Sequence, residues 1–251
     1  MQRRFFWPGM STDVGHKISN CRRCVCRKTR TNIRAPLVSV KTTQPLEMLC
    51  IDFLSLETSK GGYENILVMT DHFSKFAQAF PTRNQLATTV AKVLFDNFVV
   101  HYGVPLRLHS DQGRNFESKV IKELCHLLGM TKSRTTPYHP PGNGEVERFN
   151  QTLLNMLGTM TGEEKSRWKD HVATMVWAYN CTKHESTGFS PHYLMFGREP
   201  QLPVDGMFGL RGLNPQFQVL SKYSSNLQKR LQAAFKAARI AQDKASARYA
   251  Q

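Results

Sequence analysis

The strongest constraint on the fold of this chain is the order of its strand-like and helix-like segments. Three β-rich runs come first, followed by a segment of helical periodicity, a fourth strand, a second helix, a fifth strand and further helices. This order predicts a mixed five-stranded sheet with helices packed against it. The strands are predicted at 46–56, 63–80 (two strands and a turn), 106–109 and 131–136, and the helices at 86–102, 118–128, 145–160 and 168–181.

Shifts in composition predict four parts along the chain. Residues 1–35 form a small basic module, 36–45 a linker, 46–200 an α/β core, and 201–251 an extended segment that continues into a basic helical arm. The core has the element order of a ribonuclease-H-like fold, which other α/β folds share. The narrow apolar stripe of the arm favours packing on its own domain, with a dimerising or DNA-contacting arm as the alternative. The stripe consists of Leu227, Leu231, Phe235 and Ala238.

Positive charge is concentrated at the two ends of the chain, whose formal charge is +15. Residues 1–44 hold ten basic residues and one acidic residue, and 221–251 hold seven and one, so the remaining 17 of each sign balance in 45–220. Basic ends suit a polyanion, most simply nucleic acid. Solvated tails that keep the chain in solution are the alternative.

The sequence also argues against membrane and disulfide-rich classes. No apolar run approaches the ~18 residues of a membrane helix, and the opening MQRRFFWPGM lacks the apolar stretch of a secretory signal. The six cysteines are too scattered for a disulfide scaffold. We therefore expect a soluble intracellular protein with reduced thiols and no membrane partner.

Asp52, Asp111 and Glu147 are the candidate catalytic residues. Asp52 interrupts the apolar strand LCIDFLSL, where a carboxylate is costly unless it is paired or bound to metal. Asp111 follows a predicted strand end, and Glu147 opens a helix away from its apolar stripe. If the three converge, they need hard cations, and two Mg²⁺ or Mn²⁺ ions about 3.5–4 Å apart would serve an in-line phosphoryl displacement. Taken singly, each acid is more simply explained as a surface or capping residue.

The spacing of these acids and the residues around them resemble a known family. Between Asp111 and Glu147 lie 35 residues, as in the D,D-35-E integrases of retroviruses and LTR retrotransposons. The segments LCIDFLSL, ILVMTDHFSKFAQAFP, HSDQGRNFES and TTPYHPPGNGEVERFNQTL resemble the family's first Asp strand, its hairpin, its second Asp motif and its Glu motif. FFWPGMSTDV and TGFSPHYLMFGREPQLP are similar to the gypsy class of retrotransposon integrases, and the resemblance covers roughly 5–245.

The resemblance implies a ribonuclease-H-like integrase core that trims the 3′ ends of element DNA and joins them to target DNA. Asp52, Asp111 and Glu147 would then be the ligands of Mg²⁺ or Mn²⁺, with Glu145 as a weaker rival for the third position. The partners would be element ends, target DNA and further copies of the chain, because two ends must be joined. The protein would act in the nucleus, or lie in the cytoplasm before import.

Polar residues around the Glu motif are candidates for DNA contact. A polar face that meets only solvent is the equally simple alternative. The candidates are Asn143, Arg148, Gln151 and Asn155.

Cys21 and Cys24 resemble the second half of the family's His-His-Cys-Cys zinc site, and tetrahedral zinc needs four ligands. The family's two histidines lie upstream of the first matching segment, so the sequence predicts a partial module. His16 and Cys26 are weak candidates for the missing ligands. We expect a fragment of an element's polyprotein, a degraded copy, or a host gene derived from one.

Two other functions fit the same sequence. The chain could be a catalytically silent, host-derived DNA-binding protein that retains the integrase fold. It could also be a ribonuclease-H-like nuclease that cuts RNA–DNA hybrids, which the integrase-like segments outside the three acids argue against.

Overall fold

A computed structural model describes most of the chain and divides it into two compact units, 1–37 and 38–251. The described residues are 7–21, 40–135, 144–208 and 220–249. In the first unit, helix α1 (Met10–Ser19) begins after Gly9, whose φ of 80° suits glycine. All other elements of the described residues belong to the second unit.

The second unit is built on a mixed five-stranded sheet in the order β3-β2-β1-β4-β5. Strands β1, β2 and β3 are antiparallel neighbours, whereas β1–β4 and β4–β5 are parallel pairs. The sheet predicted from the element order is therefore confirmed. Its strands are β1 (Leu49–Ser59), β2 (Tyr63–Asp71), β3 (Ala77–Thr82), β4 (Arg107–Ser110) and β5 (Thr131–Arg134).

Helices cover the sheet and continue beyond it. Helix α2 begins as Ala87–Val93, continues through a π-helical stretch, Leu94–Val99, and ends with Val100–Tyr102. A single 3₁₀ turn, Trp168–Asp170, precedes α6. The other helices are α3 (Lys119–Leu127), α4 (Gly144–Gly158), α5 (Gly162–Ser166), α6 (Val172–Cys181), α7 (Pro191–Phe196), α8 (Pro203–Met207) and α9 (Leu220–Tyr249).

Two hydrophobic clusters lie on opposite faces of the sheet because alternate residues of a strand point to opposite sides. Cys50 of β1 packs on one face with Phe149 of α4 and Val176 of α6. Ile51 packs on the other face with Phe98 of α2 and Ile121 of α3. The start of β1 is thus covered on both faces, which explains why its first three residues, Leu49–Ile51, are all apolar and buried.

The turn between β2 and β3 is organised around Asp71, which is fully buried. Its carboxylate accepts hydrogen bonds from the backbone N–H of Leu46 at 2.8 Å and from both the N–H (2.7 Å) and the hydroxyl (2.6 Å) of Ser74. Leu46 and Lys75 adopt positive φ values of 65° and 64° beside it. Burial raises the pKa of Asp71, and these hydrogen bonds oppose the shift.

Helix α9 packs along its apolar side on this turn and on α7. Ala234 and Ala238 are buried against Phe73 and Leu194, and the Gln242 side chain donates a 2.7 Å hydrogen bond to the Phe73 carbonyl. The predicted C-terminal helical arm is confirmed. Packing of α9 on its own domain, the simpler of the two explanations given for its apolar stripe, accounts for that stripe. In the parts of the chain described here, no helix is long and apolar enough to cross a membrane.

Candidate active site

Asp52 is the fourth residue of β1 and faces α4. Its neighbours Ile51 and Phe53 pack on the opposite face of the sheet, as strand alternation requires. One carboxylate oxygen, Oδ1, accepts a 2.8 Å hydrogen bond from the backbone N–H of Phe53. The other, Oδ2, accepts from the Asn150 side-chain amide of α4 at 3.1 Å. The helix that carries Glu147 is therefore joined directly to the first carboxylate.

Asp111 immediately follows β4, and strand register places it beside Asp52. The parallel pair β1–β4 aligns Leu49 with Leu108 and Cys50 with His109. Two residues further along both chains, the same alignment brings Asp52 next to Asp111, at the roughly 4.8 Å spacing of neighbouring strands. Asp111 is exposed, and its Oδ1 accepts a 2.9 Å hydrogen bond from the N–H of Gly113.

Glu147 occupies the first turn of α4 and is exposed. The buried side of this helix is formed by Val146, Phe149, Leu153 and Leu157, as its apolar periodicity predicts. Asn150 lies three residues after Glu147 and reaches Asp52, so the two residues share one side of the helix. Glu147 consequently points toward the end of the sheet that carries both aspartates.

The electrostatics of Asp52 show that the three acids influence one another. Its pKa rises from 3.8 to about 6, first because the side chain is largely buried. The Phe53 N–H opposes the shift, and repulsion from the charges of Asp111 and Glu147 adds to it. A carboxylate whose pKa is raised by two like charges lies in a site with excess negative charge, and a bound cation would compensate that charge.

The donor set fits a hard divalent cation in chemistry and charge. All three groups offer carboxylate oxygens, which suit Mg²⁺ or Mn²⁺ rather than softer metals. As they stand, however, no three His, Cys, Asp or Glu side chains in the described ranges are close enough to hold a metal ion. Asp52 and Asp111 each turn one oxygen to a nearby backbone N–H, so ligation of one ion by all three acids requires their side chains to move closer together.

A basic network supports the Asp111 side of the site, and sequence analysis did not identify it. The Lys132 ammonium of β5 donates to the Ser110 hydroxyl at 2.7 Å and to Glu117 at 3.2 Å. Ser110 in turn donates to the backbone carbonyl of Asp111 at 2.8 Å. Burial lowers the pKa of Lys132, whereas the charges of Glu117 and Asp111 raise it. Nothing in the TKSR segment distinguishes Lys132 from a surface lysine, so this role was not visible in the sequence.

His109 is buried on the same face as Asp52. Its Nδ1 pairs with the Ser133 hydroxyl at 2.9 Å. Burial, followed by the charges of Lys132 and Arg107, lowers the pKa of His109 to about 4. The imidazole is therefore neutral at physiological pH and adds no positive charge to the site.

The polar residues predicted to contact DNA are only partly described. Arg148, Gln151 and Asn155 are exposed on α4, where the Gln151 amide donates to Asn155 at 3.0 Å. Asn143 and the side chain of Glu145 lie outside the described residues. Contact of Asn143, Arg148, Gln151 and Asn155 with DNA remains a prediction.

The candidate zinc ligands lie in the first unit. His16 is exposed on α1, and its Nδ1 lies 3.1 Å from the Asn20 amide nitrogen. Cys21 is half-buried just after the helix, while Cys24 and Cys26 fall outside the described residues. Zinc binding by these residues remains a prediction.

The fold of the second unit defines a class, the ribonuclease-H-like integrase core. Comparison with solved structures supports this fold at low sequence identity. A chain of the simian T-cell lymphotropic virus intasome, solved in complex with a PP2A regulatory subunit, matches with a TM-score of 0.57 and 19% identity, over 77% of this chain and 68% of that chain. The HTLV-2 integrase catalytic core domain, solved with magnesium in a trimeric form, matches with a TM-score of 0.50 and 16% identity, over 62% of this chain and 99% of that chain.

Family models and curated relatives identify the particular family. Residues 42–140 match the integrase core domain and 1–30 the integrase zinc-binding domain. The Pro-Pol polyprotein of feline foamy virus is 30% identical over 81% of this chain, and the Tf2-3 transposon polyprotein of Schizosaccharomyces pombe is 28% identical over 80%. The chain therefore carries an integrase core domain and an integrase zinc-binding domain, and it is similar to polyproteins of a retrovirus and of an LTR retrotransposon. It spans 18% and 15% of these two polyproteins, and the matched core contains both aspartates but ends before Glu147.

Proposed function

We propose that the chain is a divalent-metal-dependent polynucleotidyl transferase that trims the 3′ ends of element DNA and joins them to target DNA. The observation that carries the proposal is the 3.1 Å hydrogen bond from Asn150 to Asp52, which joins the helix that carries Glu147 to the strand that pairs with β4, after which Asp111 follows. Repulsion from Asp111 and Glu147, which contributes to the raised pKa of Asp52, agrees with this arrangement. The match to the integrase core domain supports the choice of reaction.

The residues of the chain have separate tasks in this reaction. Asp52, Asp111 and Glu147 would hold Mg²⁺ or Mn²⁺, which when bound activates water or a 3′-hydroxyl and stabilises the leaving oxygen. Asn150 orients Asp52 through its Oδ2. The Lys132–Ser110 pair holds the backbone of Asp111. No covalent intermediate on the protein is needed, because these side chains only position groups and charge.

We also propose that the chain acts on DNA as an assembly of more than one copy. The two basic ends supply charge for phosphates. Joining two DNA ends in one event calls for two active sites. The intasome and the trimeric core domain among the related structures show that such assemblies exist for relatives.

Strand transfer with Mn²⁺ and oligonucleotides that carry element ends tests the reaction. We expect wild-type joining, and at least a hundredfold loss on Glu147→Gln, because the scissile step depends on charge stabilisation. Glu145→Gln is the matched control, since it removes an equivalent charge two residues away and tests the rival third ligand. If both variants join at the wild-type rate, the proposal is wrong. Binding without joining by wild-type protein would favour the silent DNA-binding alternative, and cleavage of RNA–DNA hybrids alone would favour the nuclease.

Zinc binding is proposed for Cys21 and Cys24, with His16 as a weaker third ligand, because residues 1–30 match the integrase zinc-binding domain. The double variant Cys21→Ser, Cys24→Ser should lose its zinc in a colorimetric assay on the unfolded protein. A zinc content equal to that of wild type would contradict the assignment.

A further inference from the structure

His109 holds a buried ring nitrogen whose role the fold does not explain. The residue is 6% exposed, and its Nδ1 lies 2.9 Å from the Ser133 hydroxyl of β5. Its Nε2 is shielded from solvent and has no hydrogen-bond partner in the described part of the chain. Buried polar side-chain atoms in folded proteins are mostly hydrogen-bonded. The bond to Ser133 therefore accounts for one nitrogen of the ring and leaves the other without a structural task.

The sheet places the His109 side chain beside the candidate metal ligands. Strand register aligns His109 with Cys50 of β1 and with Ser133 of β5. Asp52 and Asp111 each lie two residues further along, so strand alternation puts them on the same face as His109. Asp52 is thus the diagonal neighbour of His109, at roughly 8 Å between Cα atoms, because the strands are about 4.8 Å apart and two residues rise about 6.6 Å. An imidazole and a carboxylate that lean toward each other can close this gap.

The bond to Ser133 determines which way Nε2 points. The two nitrogens of an imidazole point away from each other, and Nδ1 is directed to β5 on one side of β4. Nε2 is consequently directed away from β5, toward the side of β4 on which β1 and Asp52 lie. When Ser133 donates its hydroxyl proton to Nδ1 of the neutral ring, the ring proton lies on Nε2. The unpaired nitrogen is then a donor that faces the side of the carboxylate.

The movement that ligation requires brings Asp52 toward this donor. All three acids must come closer together before they can hold one ion, because no three such side chains of the described ranges are close enough as they stand. Asp111 follows β4, so a shift of the Asp52 carboxylate toward Asp111 is also a shift toward β4 and His109. Carboxylates that bind a metal are commonly held by a further hydrogen bond, which orients them.

We propose that His109 is a positioning residue of the metal site, whose Nε2–H donates to the Asp52 carboxylate when the three candidate acids are drawn together around a divalent cation. The inference rests on the proposed function, since it concerns the same three acids. Asn150 holds Asp52 from α4, and His109 holds it from β4 in the loaded site. The first ligand is then fixed between donors on two different elements.

Two substitutions separate the two nitrogens of the ring. His109→Gln places an amide near the position of Nε2, whereas His109→Asn keeps a polar group near Nδ1 for Ser133 and removes Nε2. The affinity of the full chain for Mn²⁺ is measured from the electron paramagnetic resonance signal of the free ion. Only binding that Asp52→Asn abolishes is counted, which excludes ions held elsewhere. Hydrogen-bond partners of metal ligands typically contribute about ten- to a hundredfold to metal affinity, so His109→Asn should weaken Mn²⁺ binding at least about tenfold and His109→Gln less than about threefold.

His192→Asn is the matched control. His192 is also buried and also forms a hydrogen bond through Nδ1, in its case with the Arg198 carbonyl beyond α7. Its replacement should leave the affinity for Mn²⁺ unchanged. Equal weakening by His109→Asn and His109→Gln, in step with an equal fall in the urea midpoint, would make His109 a packing residue and overturn the proposal. An unchanged affinity in His109→Asn would overturn it as well.

The ¹⁵N chemical shifts of His109 in the wild-type chain test the same point without a substitution, which covers variants that do not fold. We expect the ring proton on Nε2, and a shift of that nitrogen toward its hydrogen-bonded value when Mg²⁺ is added. A ring protonated on Nδ1, or an Nε2 that Mg²⁺ leaves unchanged, would contradict the assignment.

Metal binding and DNA joining together distinguish this inference from the proposed function. Mn²⁺ binding that depends on Asp52 and His109, without any joining by the wild-type chain, would overturn the transferase and leave the role of His109 intact. Joining by the wild-type chain, with an Mn²⁺ affinity that His109→Asn does not change, would do the reverse. If no Mn²⁺ binding depends on Asp52, both proposals are wrong.

Discussion

Asn150 contacts the first candidate carboxylate from the helix that carries the third. Its amide nitrogen donates to Asp52 Oδ2, and its own carbonyl oxygen is buried and has no partner among the described atoms. A buried acceptor without a hydrogen bond costs free energy. The presence of this unpaired oxygen beside a carboxylate indicates that Asn150 serves the candidate site rather than the stability of the fold.

Replacing Asn150 separates these two roles. We expect Asn150→Ala to lower the rate of DNA joining at least tenfold, because Asp52 loses the donor that orients it. The free energy of unfolding should change by less than about 1 kcal/mol, because one hydrogen bond is lost and one unpaired buried acceptor is removed. Urea denaturation and single-turnover joining measure the two effects. A large loss of stability with an unchanged joining rate would make Asn150 a structural residue.

Asp52 should make the stability of the protein depend on pH. Its pKa is raised from 3.8 to about 6 in the folded state, so its contribution to stability is complete below pH 3.8 and is lost as the pH rises through 6. The variant Asp52→Asn should therefore be more stable than wild type at pH 7.5 and equal to it near pH 4. The upper limit is about 3 kcal/mol, and partial exposure of the site reduces it to about 1 kcal/mol.

Thermal unfolding of both proteins across this pH range measures the difference. The comparison cancels the opposite effect of His109, because that residue is present in both. Added Mn²⁺ should stabilise wild type but not the variant, because only wild type holds the charged ligand. A stability difference that does not change between pH 4 and 7.5 would contradict the raised pKa of Asp52.

At the scale of elements, the turn between β4 and α3 positions Asp111. An added Cβ on Gly113 would lie 2.5 Å from the Asn115 Oδ1 and 2.9 Å from the Asp111 Oδ1. Gly113 also donates its N–H to Asp111. A side chain at this position would therefore push the Asp111 and Asn115 side chains away from their present places.

Gly113→Ala should displace Asp111 and reduce joining at least tenfold, with little effect on the core. Gly158→Ala is the control, since an added Cβ there meets nothing within 4 Å. Alanine in a helix is favoured over glycine by up to about 1 kcal/mol, so the control should keep full activity and equal or higher stability. Full joining by Gly113→Ala would show that the turn tolerates the extra carbon.

The order of the elements could be predicted from the sequence because each strand and helix has its own periodicity. The apolar stripe of α4 and the alternation around Asp52 followed from the same rules and are confirmed in the fold. Contacts between distant segments could not be predicted in this way. Asp71 was assigned only to a turn, although Leu46, 25 residues earlier, helps to bury it. Lys132 and Asn150 likewise gain their roles from partners on other elements, which no local pattern reveals.

At the scale of the whole molecule, α9 approaches the end of α7 closely. Gly197 has a φ of 72°, and a Cβ there would lie 3.0 Å from Leu231 and 3.1 Å from Leu227. Both the backbone conformation and the space require glycine. Gly197 therefore lets Leu227 and Leu231 of α9 pack directly against the end of α7.

Gly197→Val should loosen α9 without unfolding the sheet. We expect faster proteolysis within 220–249 and unchanged protection of β1 and β2 in hydrogen exchange. Gly188→Val is a useful comparison, because it has a similar φ of 75° but no neighbour within 4 Å, so it tests strain without the clash. Equal proteolysis of α9 in both variants would show that contact with Leu227 and Leu231 is not what holds the helix.

The packing of α9 over the β2–β3 turn also bears on how the protein can be handled. Phe73 and Leu194 are fully buried, and Ala234, Phe235 and Ala238 of α9 pack against them. A chain that ended before residue 220 would expose an apolar surface patch beside the sheet. Such a fragment, although it keeps all three candidate carboxylates, should self-associate and precipitate at the concentrations used for crystallisation.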